Sequence, residues 1–272
     1  MKRVFRPILK ALRVVSPAAA AWLADVLFRT PPRVRVTRPV RAFLQTGRRV
    51  GLTVGDRRIA AWSWGEGPPV LLVHGWGSCG GHLGEYAGPL LTAGYGVVTF
   101  DAPGHGASGW GRSSLPEFAR SILAADRLWG PFHAVIAHSL GSAAAALAVR
   151  WGLAPGRVAL VAPPAHPPTW LPDFAEVMRL DADLVARMRE CMERRLGVPW
   201  EELDVVAAVR QATAPALVVH DRDDRRVPWS EGAAVAAAWP GARLVITEGL
   251  GHRDVVFHPE VVRTVTEFVT GG

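Results

Sequence analysis

Short apolar runs that end in polar or glycine-rich residues recur along this chain, and segments of helical length separate most of them. Consecutive parallel strands need such a crossover, usually a helix, between them. The pattern therefore predicts an α/β fold with a mostly parallel central sheet and helices on both faces. The predicted strands of this sheet are residues 70–73, 97–100, 134–137, 158–161, 217–219 and 244–246. Because open α/β sheets place their sites beyond the carboxyl ends of the strands, we look for function there.

Two segments depart from this alternation. Residues 163–212 separate two predicted strands by more than one crossover helix requires. We interpret them as a short helical insertion that covers this edge of the sheet as a lid, although an extra helix pair without substrate contact would leave the same pattern. Residues 1–48 precede a predicted β-hairpin at 49–64. The predicted organisation is thus a basic helical extension at 1–48 and one α/β domain at 49–272 that carries the insertion.

The basic residues of the chain concentrate near its N-terminus. Residues 1–58 hold fourteen Lys or Arg and two Asp, while the whole chain has a net charge of +7. No nucleic-acid recognition motif accompanies this charge, so we expect no nucleic-acid partner. An arginine-rich composition explains the asymmetry, and peripheral contact with an anionic membrane is the alternative that stays open. Apolar residues at helical spacing predict an amphipathic helix packed on the domain, and they are Val4, Phe5, Ile8, Leu9, Leu12 and Val15.

Several features of the sequence bear on the compartment. Lys10, Arg13 and Pro17 break the N-terminal apolar stretch, which disfavours a secretory leader. The sequence contains no uninterrupted run of about twenty apolar residues, so we expect no membrane-spanning helix. Cys79 and Cys191 lie far apart and have no metal-like spacing, so we expect free thiols in a reducing compartment. The prediction is a cytoplasmic protein, and the oligomeric state is left open.

A serine follows the predicted strand 134–137 closely, and an alanine-rich helix begins after it. Ser139 on so sharp a strand-to-helix turn must adopt strained backbone angles, so the residues two positions away must be small. Ala137 and Gly141 meet that requirement, with alanine in place of the first glycine of the strict Gly-x-Ser-x-Gly pattern. The following helix directs its N-terminal amides at developing negative charge. Ser139 is therefore the candidate nucleophile.

At these residues the sequence resembles the α/β-hydrolase family, in its serine branch of esterase- and lipase-like enzymes, over about residues 50–270. The segment 74–77, His-Gly-Trp-Gly, follows the first long strand, where that family has its oxyanion loop. The resemblance implies that the backbone N–H groups of Trp76 and Leu140 would bind the oxyanion. Residues 101–108 look like the family's Asp-x-x-Gly-x-Gly-x-Ser turn and are expected to be structural.

The resemblance also implies an acid and a base. Family members commonly show an aspartate followed by two residues and then Val-Pro, and after the strand 217–219 that register selects Asp224. Asp223 is the alternative, whereas Asp221 is expected to organise the turn. His252 lies in a glycine-rich loop after the last predicted strand, so nucleophile, acid and base follow the order Ser, Asp, His.

These residues predict hydrolysis through a covalent acyl-enzyme. His252 would take the proton of Ser139 as the hydroxyl attacks a carbonyl, Asp224 would orient the imidazole, and water would then release the acyl group. Neither a metal nor a cofactor is needed for this reaction. Tryptophans 76, 110 and 170 and the apolar positions of the insertion favour a small to medium hydrophobic acyl substrate.

Two kinds of alternative stay open. On the same fold, a serine constellation of this kind also serves thioesterases, amidases and C–C bond hydrolases, and the sequence does not choose between these substrates. A non-catalytic binding protein could share the fold, because fold alone does not fix function. Labelling of Ser139 by a fluorophosphonate would separate an enzyme from a binding protein.

Overall fold

The computed structural model describes residues 2–33 and 35–271. Its strands are Arg48–Val54 (β1), Arg57–Trp64 (β2), Pro69–Val73 (β3), Gly96–Phe100 (β4), Ala134–His138 (β5), Arg157–Val161 (β6), Ala216–Asp221 (β7) and Arg243–Thr247 (β8). They form one sheet in the order β1-β2-β4-β3-β5-β6-β7-β8. β2 pairs antiparallel with β1 and with β4, and the remaining neighbours pair parallel. The predicted α/β class with a mostly parallel sheet is confirmed.

Helices cover both faces of this sheet. They are Lys2–Val15 (α1), Pro17–Arg29 (α2), Arg38–Thr46 (α3), Ala87–Thr92 (α4), Leu115–Trp129 (α5), Leu140–Arg150 (α6), Trp170–Met178 (α7), Ala182–Leu196 (α8), Val205–Val209 (α9), Trp229–Ala238 (α10), Gly251–Asp254 (α11) and Pro259–Thr270 (α12). Side chains of α5, α6 and α10 join one buried cluster, and those of α4 and α12 join a second. Alternate residues of β3 enter the two clusters, Leu71 and Val73 the first and Val70 and Leu72 the second, because successive side chains of a strand point to opposite faces.

The six predicted strands and the predicted hairpin are present. β7 extends beyond the predicted residues 217–219 because His220 and Asp221 are buried and pair with Ile246 and Thr247 of β8. Polar character at these positions hid the end of the strand from sequence reasoning. It is this extension that brings the loop after β7 against the loop after β8.

The N-terminal helix α1 buries a narrower face than its apolar spacing predicts. Leu9 is buried, and Phe5 and Leu12 pack against the main core cluster. Val4 and Val15, however, are 59% and 84% exposed. Only part of the apolar set therefore contacts the domain. The reason is geometric: Phe5, Leu9 and Leu12 lie on one stripe of the helix, and the other apolar residues lie beside it.

The N-terminal helices pack against the insertion between β6 and β7. Arg6 in α1 donates from Nε to the carbonyl oxygen of Val177 in α7 at 2.9 Å. On α2, the carboxylate of Asp25 lies 3.1 Å from a guanidinium nitrogen of Arg195 in α8. The division at residue 48 and the insertion at 163–212 stay predictions about domain organisation. In the structure β1 begins at Arg48, and the helices of the insertion lie between β6 and β7.

No helix among residues 2–33 and 35–271 combines the length and apolar character needed to cross a bilayer.

Candidate active site

Ser139 lies on the sharp turn between β5 and α6. Its φ of 54° and ψ of −123° fall in a region that non-glycine residues rarely adopt, and its N–H donates to the carbonyl oxygen of Val161 at 2.9 Å. The loop at residues 74–77 passes so close to this turn that a Cβ on Gly75 would stand 3.0 Å from the Cβ of Ser139. A Cβ on Gly141 would stand 2.5 Å from the carbonyl oxygen of His74. Both glycines are required by this close approach of two backbones.

The structure brings Ser139, His252 and Asp224 into one hydrogen-bonded row. The Nε2 atom of His252 lies 2.9 Å from the Oγ of Ser139. The Nδ1 atom of the same ring lies 2.6 Å from Oδ2 of Asp224. With the proton on Nδ1 donated to the carboxylate, Nε2 is free to accept the proton of the serine hydroxyl. The arrangement can therefore raise the nucleophilicity of the hydroxyl.

Asp224 is buried yet remains an anion. Burial alone would raise the pKa of this carboxyl, but hydrogen bonds from the side chains of His220 and His252 and from the backbone N–H groups of Val227 and Arg226 lower it well below the ordinary range. His220 is fully buried in β7, and its Nε2 lies 3.3 Å from Oδ2 of Asp224 and 3.0 Å from the carbonyl oxygen of Val227. Sequence reasoning missed this role of His220, because a lone histidine in a strand carries no motif.

The two neighbouring aspartates hold the loop that carries the histidine. Asp221 accepts from the backbone N–H of Gly251 at 2.8 Å and from that of Leu250 at 3.2 Å. Asp223 accepts from the N–H of Gly249 at 2.8 Å. Of the three aspartates at the end of β7 and directly after it, Asp224 is thus the one that reaches the ring of His252. The expectation that Asp221 organises the turn agrees with these contacts.

His138, the residue before the nucleophile, supports the other side of the histidine loop. Its Nε2–H donates to the backbone carbonyl of His252 at 2.9 Å, and the two rings lie 5.0 Å apart between centroids. Burial, together with the nearby His252, lowers the pKa of His138 to about 3, so the ring is neutral at neutral pH. A neutral ring here adds no positive charge that would oppose protonation of His252.

Two buried histidines fix the loop at residues 74–77. His74 donates from Nδ1 to the carbonyl oxygen of Gly75 at 2.7 Å and accepts at Nε2 from the N–H of Ala102 at 3.0 Å. His105 accepts at Nε2 from the N–H of Gly77 at 3.0 Å and donates from Nδ1 to Pro103. Burial lowers the pKa of both rings, that of His105 to about 4, so both rings stay neutral and each Nε2 remains an acceptor. As expected, the 101–108 turn is structural, and Asp101 within it accepts from the N–H of Gly80 at 2.7 Å.

The backbone N–H groups of Trp76 and Leu140 belong to the two segments beside Ser139, the loop at residues 74–77 and the start of α6. Leu140 begins α6, so its N–H has no carbonyl within the helix to bond. Among the described residues, no acceptor takes either N–H.

An apolar cavity of about 300 Å³ opens at Ser139. Its lining comes from five parts of the chain: α2, the loop at residues 74–77, the start of α5 with the residues before it, the turn at Ser139, and the insertion. Its apolar lining includes Phe28, Trp76, Leu140, Trp170, Met192 and Trp200. Sequence reasoning missed Phe28, because nothing local marks a residue in an N-terminal helix as part of a distant site. Trp110, expected to favour a hydrophobic substrate, does not line this cavity and is 76% exposed.

A doubly covered, mostly parallel sheet with a strained serine turn and a histidine loop at its carboxyl edge defines the α/β-hydrolase class of enzymes. The chain belongs to the alpha/beta hydrolase family, whose model matches residues 70–265. The matched region begins at β3 and ends within α12, so it includes every residue of the row described above. The N-terminal helices lie outside it.

Several curated proteins that this chain resembles are named as hydrolases or esterases. A pimeloyl-[acyl-carrier protein] methyl ester esterase of Methylococcus capsulatus is 41% identical over 99 residues, which is 35% of each chain. A 2-hydroxy-6-oxo-6-phenylhexa-2,4-dienoate hydrolase of Burkholderia cepacia is 24% identical over 259 residues, covering 76% of this chain and 90% of the relative. Matches to two Pseudomonas proteins named as carbamate hydrolases span only 27% and 23% of those proteins.

Solved structures share the fold. An esterase of Pyrococcus furiosus superposes with a TM-score of 0.66 at 22% identity, over 89% of this chain and 98% of that one. At that level of identity the likeness extends to the fold alone.

Proposed function

We propose that this α/β-hydrolase cleaves carboxylic esters of small to medium hydrophobic acids, with Ser139 as nucleophile, His252 as general base and Asp224 as the residue that orients the base. The observation that carries the proposal is the hydrogen-bonded row of these three side chains at the mouth of an apolar cavity. Methyl ester hydrolysis in the name of one relative favours esters among acyl substrates.

The reaction follows from the positions of the protons. His252 removes the hydroxyl proton of Ser139 through Nε2 as Oγ attacks the ester carbonyl, and Asp224 stabilises the imidazolium that forms. The imidazolium then gives its proton to the departing alcohol, which leaves the acyl group on Oγ. A water molecule, deprotonated by the same nitrogen, attacks this acyl-enzyme and restores the serine.

The tetrahedral intermediates carry a negative charge on the former carbonyl oxygen. We assign its binding to the backbone N–H groups of Trp76 and Leu140, which have no acceptor in the part of the chain that the structure describes. Donors of this kind contribute roughly 3–4 kcal/mol each to transition-state stabilisation in related chemistry. His74 and His105 position the loop that carries the first donor, and α6 positions the second.

The test is hydrolysis of a p-nitrophenyl ester series from acetate to laurate by the wild type, by Ser139→Ala and by Ser230→Ala. Ser230 is an exposed serine at the start of α10 and serves as the matched control. The proposal predicts turnover that is lost in Ser139→Ala and kept in Ser230→Ala. Turnover that survives in Ser139→Ala would reject Ser139 as nucleophile, and turnover of thioesters or amides in place of every ester would reject the ester substrate.

We further propose that the protein is cytoplasmic and contacts anionic membranes at its surface through α1. Val14 and Val15 are largely exposed at the end of this helix, which also carries the exposed Lys10. Full-length protein is expected to co-sediment with phosphatidylserine vesicles and not with phosphatidylcholine vesicles, and a Val14→Ser/Val15→Ser variant is expected to lose this binding. Equal sedimentation of variant and wild type would contradict the membrane contact.

A further inference from the structure

A second cavity, of about 730 Å³, lies beside the acyl cavity and differs from it in chemistry. Arg29 and Leu196 line both cavities, so the two share a wall. The second cavity is lined by arginines from five different parts of the chain, namely α2, β2, the segment before α5, α5 itself and α8. These arginines are Arg29, Arg57, Arg112, Arg120 and Arg195.

One buried carboxylate serves three of these guanidiniums. Asp25 is 1% exposed. Its Oδ2 atom lies 2.8 Å from Arg29, 3.1 Å from Arg195 and 3.4 Å from Arg112. Burial, followed by repulsion from Arg29 and Arg195, lowers the pKa of Arg112 from its ordinary value. The positive charge at this wall is therefore larger than the single carboxylate of Asp25 neutralises.

The other two carboxylates at this wall do not neutralise the excess of positive charge. Glu117 lies 3.3 Å from Arg57 and is engaged with it. Asp56 lies on the exposed turn between β1 and β2. With Asp25, the wall thus presents three carboxylates against five guanidiniums. An excess of positive charge beside a cavity of this size attracts anions.

A structural tie between α2 and the insertion does not require this many arginines. Arg29 alone binds both carboxylate oxygens of Asp25. Arg112 and Arg195 each direct one terminal nitrogen at Asp25, whereas a guanidinium carries five N–H donors. We infer that this arginine-lined cavity binds an oxyanion, a phosphate or carboxylate group of a ligand, because the guanidinium fork matches both groups with paired hydrogen bonds.

Because Arg29 and Leu196 line both cavities, this site lies directly beside the acyl cavity. A ligand with its apolar part near Ser139 and an anionic group among the arginines would occupy both cavities. That the ligand is the substrate rests on the proposed function, whereas binding of the anion does not. The substrate class then narrows to acyl compounds that carry a phosphate or carboxylate group away from the bond that is cleaved.

Calorimetric titration with two probes, pyrophosphate and succinate, tests the site without any need for turnover. Wild type, Arg112→Gln, Arg57→Gln and Arg187→Gln are compared. Arg187 lies on the exposed side of α8 and pairs with Asp183, so its replacement changes the net charge equally but leaves the cavity intact. Circular dichroism confirms that each variant is folded.

The expected result is saturable binding, with a Kd of about 1 mM or lower, to wild type and Arg187→Gln. We expect a Kd roughly ten-fold higher or more in Arg112→Gln or Arg57→Gln, from loss of a charged hydrogen-bond donor. Preference for pyrophosphate identifies a phosphate-bearing ligand, and preference for succinate a carboxylate-bearing one. Absence of saturable binding to wild type, or equal weakening in Arg187→Gln, would overturn the site. If the wild type hydrolysed no ester, the proposed function would be rejected, whereas the measured anion binding would still stand.

Discussion

At the scale of single residues, the carboxylate of Asp224 is the most tightly held group of the candidate site. It contacts two histidine rings, and its Oδ1 atom accepts from the backbone N–H groups of Arg226 at 2.8 Å and Val227 at 3.0 Å. So many donors fix the direction of the oxygen that faces His252. They also explain why the carboxyl stays ionised although it is buried.

Asp224→Asn removes the charge and keeps the shape. We expect kcat for p-nitrophenyl butyrate to fall by about 10⁴, because an amide in this position can favour the wrong histidine tautomer. Asp223→Asn is the matched control, since that side chain contacts the N–H of Gly249 and not the ring. A loss in Asp223→Asn as large as that in Asp224→Asn would contradict the assigned acid.

Phe28 is a second residue whose role can be measured. It lines the acyl cavity from α2 and packs edge-on against Phe174 of α7, with ring centroids 5.3 Å apart. Phe28→Ala would enlarge the cavity, so the ester chain length with the highest kcat/KM should become longer. Phe257→Ala, at an exposed aromatic residue between α11 and α12, should leave the profile unchanged. An unaltered profile in Phe28→Ala would exclude α2 from the substrate site.

At the scale of elements, the insertion and the N-terminal helices together enclose the cavity. Trp170 in α7 and Met192 in α8 face it from the insertion, and Phe28 faces it from α2. Asp25 joins α2 to α8 through Arg195. The extension and the insertion are therefore parts of one enclosure, although they are distant in sequence.

Asp25→Asn should destabilise the protein by about 3–5 kcal/mol, because it leaves buried Arg29 without its charged partner. Urea unfolding followed by circular dichroism measures this free energy. Asp183→Asn breaks the exposed pair with Arg187 and should cost no more than about 1 kcal/mol. Equal effects of the two substitutions would mean that Asp25 does not anchor the enclosure.

The sequence predicts a feature well when neighbouring residues determine that feature. Strand 134–137 and Ser139 are contiguous, and the small residues around the serine report the backbone strain directly. The triad candidates follow a fixed order along the chain, so they could be named as well. His220 and Phe28 could not, because their contacts join residues far apart in sequence that only the folded chain brings together. The width of the buried face of α1 could not be predicted for a related reason: apolar spacing does not reveal how wide a face the partner of a helix covers.

At the scale of the whole molecule, buried titratable groups link stability to pH. Burial lowers the pKa of His105 to about 4 and that of His138 to about 3, while unfolded histidine titrates near 6.5. Between these values the unfolded chain binds protons at both rings that the folded chain does not, so stability falls as pH falls. Burial raises the pKa of Asp101 to about 6, and protonation there opposes the trend.

From pH 6.5 to about pH 4 we expect a net loss in the free energy of unfolding of at least about 3 kcal/mol, because His105 and His138 already outweigh one aspartate and His74, whose pKa burial also lowers, adds to the loss. Urea unfolding across this range measures it. His105→Gln should make the loss smaller, since it removes one of the titrating rings. A stability that stays constant or rises toward acid pH would contradict the neutral, buried state of these histidines.

The central claim is that Ser139 is an activated nucleophile, and covalent labelling tests it most directly. Wild-type protein is treated with a fluorophosphonate, and intact-protein and peptide mass spectrometry locate the adduct. We expect one adduct, on Ser139, and none in Ser139→Ala. We also expect much slower labelling in His252→Ala, because the hydroxyl then has no base at 2.9 Å. A wild-type protein that stays unlabelled, or one that is labelled only at another residue, would contradict the central claim.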